Sequence, residues 1–254
     1  MKTKLKYITF FLITILTVEG IFASEVNVYT SRHYDSDENL YKDFFKISGI
    51  KVNIISGKSK ALIERIKSEG KNSPADIFIT VDAGNLWKVQ NDGLFQRIDS
   101  EFIKNTVPEN LRGINDEWVA VAKRSRVIFY NPNKISQNNL KNLTYEALSK
   151  PEWKGKIAIR SSNNIYNQSL VASLIAKHGI EKTEEWARGF VANFARKPQG
   201  NDRAQIIAVA NGEADLAIAN SYYLGLMLSG KKGGEQLSAA KKVGLHFPNQ
   251  SGEG

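Results

Sequence analysis

The chain has 254 residues, a formal net charge of +9 and no cysteine. Its hydrophobic content of 42% is enough to bury a core, which excludes an intrinsically disordered chain. The lack of cysteine excludes disulfide scaffolds, zinc fingers, iron–sulfur clusters and thiol catalysis. The three histidines, His33, His178 and His246, are too few for a histidine-rich metal site.

Residues 1–24 have the pattern of a secretory signal peptide. Three lysines in MKTKLK precede an uncharged, mostly apolar run from Tyr7 to Val18, and small residues follow at Ala23 and Ser24, where we expect cleavage. The alternative is an uncleaved anchor, although the run is shorter than the roughly 20 apolar residues of a spanning helix. Because no cysteine follows for lipid attachment, we expect a soluble periplasmic protein.

Strand and helix patterns alternate along the first part of the mature chain. Strands are predicted over 26–30, 51–55 and 76–80, and a helix is predicted after each of them. Ser36 is the expected N-cap of the first helix, and Gly49 and Gly70 are expected to end the first two. This alternation predicts βαβ units and therefore an α/β fold with mainly parallel sheets.

The alternation is interrupted once and then resumes. Two apolar segments, 118–122 and 127–131, are separated only by KRSR and predict a pair of crossover strands. Further strands are predicted over 156–160 and 216–219. Four helices are also predicted: one over 169–178, one that begins at Thr183, one that ends at Gly212 and one that begins at Tyr222. The segment GLHFPNQ, 244–250, predicts a second crossover.

Four tyrosines lie where a predicted strand gives way to a predicted helix: Tyr34, Tyr166, Tyr222 and Tyr223. Ligands of parallel sheets bind outside the carboxyl ends of the strands, where helix N-termini favour anions. We therefore expect these phenols to ionise more easily than an ordinary tyrosine. Converging phenolates would suit a hard, highly charged cation such as ferric iron. For any one of them, the alternative is an ordinary packing tyrosine.

Several segments resemble the ferric-iron-binding periplasmic proteins of bacterial iron ABC transporters, above all those of the cyanobacterial type. They are SRHYD at 31–35, RSSNNIYNQSLVAS at 160–173, ANSYYLG at 219–225, KSKALIERIKSEGKNSPADIFIT at 58–80 and AKRSRVIFYNP at 122–132. The resemblance implies a two-lobed, transferrin-like type II solute-binding fold with a hinge of crossover strands. It places lobe 1 at 25–122, with 245–254 returning to it, and lobe 2 at 123–244.

The same resemblance implies a site and its partners. The iron(III) ligands would be Tyr34, Tyr166, Tyr222 and Tyr223. His33 matches a histidine that ligates iron in some members and lies outside the coordination shell in others. Arg126 matches an arginine that holds a synergistic anion or offsets phenolate charge, unless it is simply a solvated member of KRSR. An anion or water would complete the shell, and a monomer would deliver iron to a permease in the inner membrane.

The chain departs from this family in two places. Members continue beyond FPNQ with another strand and further helices, whereas this sequence closes with SGEG, so we expect a partial sequence rather than a natural miniature. Leu226 stands where several members carry arginine, which would remove one counter-charge from the site.

Other functions remain as alternatives at this stage. The same scaffold could bind a small organic or anionic solute of the thiamine, polyamine, sulfate or phosphonate type. An enzyme is disfavoured because GxSxG, HExxH, Walker and GxGxxG motifs are missing. A nucleic-acid partner is disfavoured because the basic residues are scattered without interleaved aromatic side chains.

Overall fold

The computed structural model describes residues 24–32 and 34–250, and these residues divide into two compact units between Thr80 and Val81. Residues 1–23 of the predicted signal peptide, and His33, lie outside the described residues. None of the helices in the described ranges has the length and hydrophobicity needed to cross a bilayer.

Unit 1 is a three-stranded parallel sheet with two helices. In chain order its elements are β1 (Glu25–Thr30), α1 (Asp35–Ser48), β2 (Lys51–Ser56), α2 (Ser59–Glu69) and β3 (Ile77–Ile79). The strand order is β2-β1-β3, and β1 pairs in parallel with both neighbours. The helix α1 ends at Gly49, whose positive φ of 71° lets its N–H reach the carbonyl of Phe45.

Unit 2 holds a four-stranded sheet in the order β5-β6-β4-β7. Its elements are α3 (Ala83–Asn91), α4 (Glu101–Thr106), β4 (Arg126–Tyr130), α5 (Gln137–Leu140), β5 (Ile157–Ala158), α6 (Ile165–His178), α7 (Ile180–Ala192), α8 (Asp202–Ala210), β6 (Leu216–Asn220), α9 (Tyr222–Leu228), α10 (Gly234–Ala240) and β7 (Gly244–His246). β5 and β6 are parallel, whereas β4 runs antiparallel to both β6 and β7.

Helices cover both faces of this second sheet. Along β4, Ile128 and Tyr130 belong to a buried cluster with α6 and α7, whereas Val127 and Phe129 belong to another with α8, α9 and α10. Side chains of β6 alternate between the same two clusters. Because both faces are covered, these strands are continuous apolar runs rather than alternating ones. The α/β class expected from the sequence is confirmed.

Two local expectations were wrong. Segment 118–122 forms no strand, because its backbone pairs only in a single bridge between Arg112 and Val119. Its first three side chains are partly buried, and Val121 is 85% exposed. The N-cap of α1 is Tyr34, not Ser36, because the extended backbone of Tyr34 leads directly into the helix.

The compact units divide at a different place from the expected lobes. The turn from β3 into α3 is tied to α6, since Asp82 accepts a hydrogen bond from Ser169 Oγ at 2.5 Å. The chain after Gly244 also stays with unit 2: β7 pairs with β4, and Asn249 bonds to the N–H of Tyr145 at 3.0 Å. The lobe boundary at 122/123 and the return of 245–254 to lobe 1 both stay predictions.

Candidate metal centre

Three of the four predicted tyrosines meet at one edge of the second sheet. Tyr166 is the second residue of α6, which follows β5, and Tyr222 and Tyr223 open α9 directly after β6. Because β5 and β6 are parallel neighbours, their carboxyl ends reach the same edge. The hydroxyl of Tyr222 donates to that of Tyr166 at 3.5 Å, and the rings of Tyr222 and Tyr223 lie 4.4 Å apart.

Short capping contacts fix where these tyrosines stand. Asn164 is the N-cap of α6, and its side chain accepts the N–H of Tyr166 at 3.0 Å. Before α9, the N–H of Ser221 donates to the carbonyl of Ser125 at 2.9 Å, next to the start of β4. Such contacts satisfy N–H groups that a helix start leaves unpaired, and they hold the first-turn side chains at the sheet edge.

Three guanidinium groups surround the ring of Tyr166. Their central carbons lie 4.4 Å (Arg124), 5.6 Å (Arg160) and 6.0 Å (Arg126) from the ring centroid. A cation at this distance is attracted by the ring and would stabilise a phenolate. The three guanidinium groups around Tyr166 therefore favour a negatively charged group at this place.

Arg126 is buried and is not a solvated member of a basic run. Its side chain is 10% exposed and donates to Asp202 Oδ2 and Asn220 Oδ1, both at 3.2 Å, and to Asn167 Oδ1. Its Nε is buried without a hydrogen-bond partner. Burial lowers the pKa of Arg126, although the charge and hydrogen bond of Asp202 act in the opposite direction. The solvated alternative is excluded, and a role of Arg126 toward an anion stays a prediction.

Asp202, which the sequence analysis missed, is the counter-charge of this cluster. It is fully buried, and its Oδ1 accepts from Arg160 at 3.1 Å, while Oδ2 accepts from Arg126 and from the N–H of Asn220 at 3.0 Å. A buried carboxylate is stable only when paired and hydrogen-bonded in this way. In the sequence it looks like any acidic residue in the first turn of a helix, so only its contacts reveal it.

The phenols are harder to ionise than the sequence led us to expect. Burial raises the pKa of Tyr222 to about 12, and burial is also the largest cause of the raised pKa of Tyr166. The positive charge of Arg124 lowers the pKa of Tyr166 by less than burial raises it. For Tyr166, loss of hydration therefore outweighs the charge of the nearby arginine, and for Tyr166 and Tyr222 the expectation of easier ionisation was wrong.

Tyr34 belongs to unit 1, whereas the other three tyrosines belong to unit 2. It follows β1, caps α1 and is 39% exposed, and the guanidinium of Arg32 lies 5.1 Å from its ring centroid. Its convergence with the other three tyrosines stays a prediction, as does a ligand role for His33. His178 and His246 make structural contacts, with Glu146 Oε1 at 2.9 Å and with the carbonyl of Leu143 at 2.8 Å.

In the described part of the chain, no three or more histidine or acidic residues are grouped so that they could hold a metal ion. The donors that the tyrosines offer at this edge of the sheet are phenol oxygens, which bind a metal ion as phenolates after losing their protons. Hard oxygen donors of this kind favour hard cations.

Comparisons with known proteins agree on a single family. A family model for bacterial extracellular solute-binding proteins matches residues 72–244. The chain is 53% identical over 230 residues to iron uptake protein A1 of Synechocystis sp. (strain ATCC 27184 / PCC 6803 / Kazusa), which covers 91% of this chain and 63% of that protein. It is 44% identical to iron uptake protein A2 of the same strain, over 100% of this chain and 74% of that protein.

A solved structure gives the same picture. The Trichodesmium protein IdiA (FutA), in complex with iron and citrate ligands, is 55% identical, with a TM-score of 0.86 over 90% of this chain and 72% of that one. This chain spans just under two thirds of the length of iron uptake protein A1. The matched family is a class of binding proteins rather than enzymes, and its structural neighbours have the two-lobed periplasmic fold. The chain belongs to the family of bacterial extracellular solute-binding proteins.

Proposed function

We propose that this protein captures ferric iron in the periplasm and delivers it, as a monomer, to an ABC transporter permease in the inner membrane. Iron is the cargo. The phenolates of Tyr166, Tyr222 and Tyr223 bind it, and Tyr34 supplies a further phenolate. A ligand role for His33 is also part of the proposal, although His33 lies outside the described residues.

The meeting of three tyrosines at the carboxyl ends of β5 and β6 carries this proposal. Tyrosines that serve only in packing need not bring two hydroxyls to 3.5 Å of each other beside three guanidinium groups. A hard trivalent cation would displace the protons of both hydroxyls and bind both oxygens. The named functions of the relatives, iron uptake in Synechocystis and iron with citrate in Trichodesmium, support the same cargo.

The environment of Arg126 supports the proposal that an anion binds together with iron. Its Nε is buried and unpartnered, and a guanidinium is always charged and binds carboxylates in a planar geometry. We propose that this donor holds an anion that completes the coordination of iron. Citrate accompanies iron in the Trichodesmium structure, which fits a carboxylate in this place.

A titration of the iron-free protein with ferric citrate tests the proposal. Phenolate-to-iron charge transfer should give a visible absorption band, which Tyr222→Phe combined with Tyr223→Phe should abolish. Tyr130→Phe is the matched control, since Tyr130 lies at the opposite end of β4 from Arg126, and it should leave the band unchanged. A colourless wild-type mixture, or colour that survives the double substitution, contradicts iron capture by these tyrosines.

The arginine cluster favours a second candidate, a receptor whose cargo is a small organic or inorganic anion without iron. The same donors would then bind the anion directly, and the phenols would donate hydrogen bonds to it. Isothermal titration separates the two candidates. Ferric citrate should bind and iron-free citrate, sulfate and phosphonate should not; the reverse result favours the anion receptor.

A further inference from the structure

Asp82 has a backbone conformation that is unusual for a residue with a side chain. It is the second residue of unit 2 and the N-cap of α3, with φ 76° and ψ 130°. A positive φ costs free energy for every residue except glycine, and asparagine and aspartate tolerate it best. Such strain persists where surrounding contacts compensate for it, and it marks a candidate functional position.

Three donors supply that compensation. Asp82 Oδ1 accepts from the N–H of Gly84 at 2.9 Å and from Ser169 Oγ at 2.5 Å, and Oδ2 forms an ion pair with Arg124. The carboxylate is 6% exposed. Only the Gly84 contact is an ordinary helix cap. The other two join Asp82 to residues more than forty positions away in the chain.

Both distant contacts lead to Tyr166. The guanidinium of Arg124 lies 4.4 Å from the centroid of the Tyr166 ring, closer than those of the other two arginines. Ser169 lies three residues after Tyr166, on the same face of α6. The starts of α3 and α6 also touch, since a Cβ added at Gly84 would lie 3.1 Å from Ile165 Cδ1. Asp82 therefore restrains both the cation on the ring and the helix turn that carries it.

We propose that Asp82 is a positioning residue of the metal centre, which holds Arg124 against the face of Tyr166 and thereby fixes the direction in which the phenol points. The expected effect of Asp82 on iron binding rests on the proposed function. The positioning of Tyr166 does not rest on it, because the contacts among Asp82, Arg124 and Tyr166 exist without any ligand.

The variant Asp82→Asn tests the proposal. Asparagine tolerates the positive φ and still accepts from Gly84, but it has no charge to hold Arg124. Asp116→Asn is the matched control, because Asp116 also has a positive φ, 58°, and also pairs with an arginine, Arg112, at 2.8 Å. We expect Asp82→Asn to weaken ferric citrate binding roughly tenfold, a typical coupling between contacting residues, and to shift the charge-transfer band. Asp116→Asn should change neither.

A second readout works without iron. With 3-fluorotyrosine incorporated throughout, the fluorine resonance of Tyr166, identified by its loss in Tyr166→Phe, should move in Asp82→Asn and in Arg124→Gln. It should stay in place in Asp116→Asn. The double variant Asp82→Asn with Arg124→Gln should bind iron no more weakly than Arg124→Gln alone, since asparagine can still accept from Ser169 and the lost charge acts only through Arg124.

An unmoved fluorine resonance in Asp82→Asn overturns the proposal, and so do additive losses in the double variant. If the wild-type protein fails to bind iron, the proposed function fails. The fluorine shift then still decides whether Asp82 positions Tyr166.

Discussion

At the scale of single residues, burial and positive charge act in opposite directions on the tyrosine hydroxyls. Because burial raises the pKa of Tyr166 and of Tyr222, both phenols are protonated in the free protein at neutral pH. Each must lose its proton to bind iron, so protons compete with the metal. We expect iron affinity to fall as the pH falls, by about tenfold per pH unit for every proton released.

Competition with citrate between pH 8 and pH 6, corrected for the protonation of citrate itself, measures this dependence. Tyr222→Phe removes one of the protons and should therefore lower the slope of log affinity against pH by about one. An affinity that does not change with pH would mean that the phenols do not ionise on binding.

The same residues show what a sequence reveals about a site. Tyr166, Tyr222 and Tyr223 were predictable, because each follows an apolar strand and opens a helix. Asp82 and Asp202 were not, because an acidic residue at a helix start is usually a cap. Their arginine partners, Arg124 and Arg126, are 42 and 76 residues away in the chain, and no local pattern encodes such a pairing.

At the scale of elements, the approach of β7 to β4 depends on a glycine. A Cβ added at Gly244 would lie 2.1 Å from Cζ of Tyr130, inside the buried ring. We therefore expect Gly244→Ala to lower the free energy of unfolding by about 1–3 kcal/mol, through strain or displacement of β7. Urea unfolding measures the change.

Gly234→Ala is the control for this prediction. Gly234 is the first residue of α10, and no atom lies within 4 Å of its added Cβ, so alanine should be neutral or slightly stabilising there. Equal losses in the two variants would show that the contact with Tyr130 is not the cause.

Several strands were predictable from the apolar residues in their sequence. The segments 26–30, 51–55 and 216–219 match β1, β2 and β6 to within one residue at each end. Segment 118–122 is as apolar as these but forms no strand. Composition shows that a segment can pair, but whether a neighbouring strand reaches it is a property of the whole chain.

At the scale of the whole molecule, the two units differ in how much core they bury. In the described part of unit 1, the fully or nearly buried apolar residues are Val28, Tyr29, Leu62, Ile63 and Ile66, whereas both large clusters belong to unit 2. In unit 1, Ile54 and Ile77 are 42% and 46% exposed. This difference predicts that unit 1 opens at a lower free energy than unit 2.

Native-state hydrogen exchange of the iron-free protein measures both units at once. The amides of β1, β2 and β3 should exchange faster than those of β4 and β6, which serve as the internal reference. Equal opening free energies in the two sheets would contradict two separately stable units. The sequence could not predict this division, because it follows from contacts such as that of Asp82 with Ser169 rather than from a linker.

The central position of β4 also links the metal centre to the alignment of the second sheet. β4 is hydrogen-bonded on both sides, and its register opposes Arg126 to Asn220. A slip of one residue would turn Arg126 to the opposite face and take it away from Asp202. Leaving a buried charge without its partner costs several kcal/mol, so misaligned conformers are penalised by the same charges that are proposed to attract a ligand. A related protein that lacks these charges would therefore need another interaction to keep β4 in register.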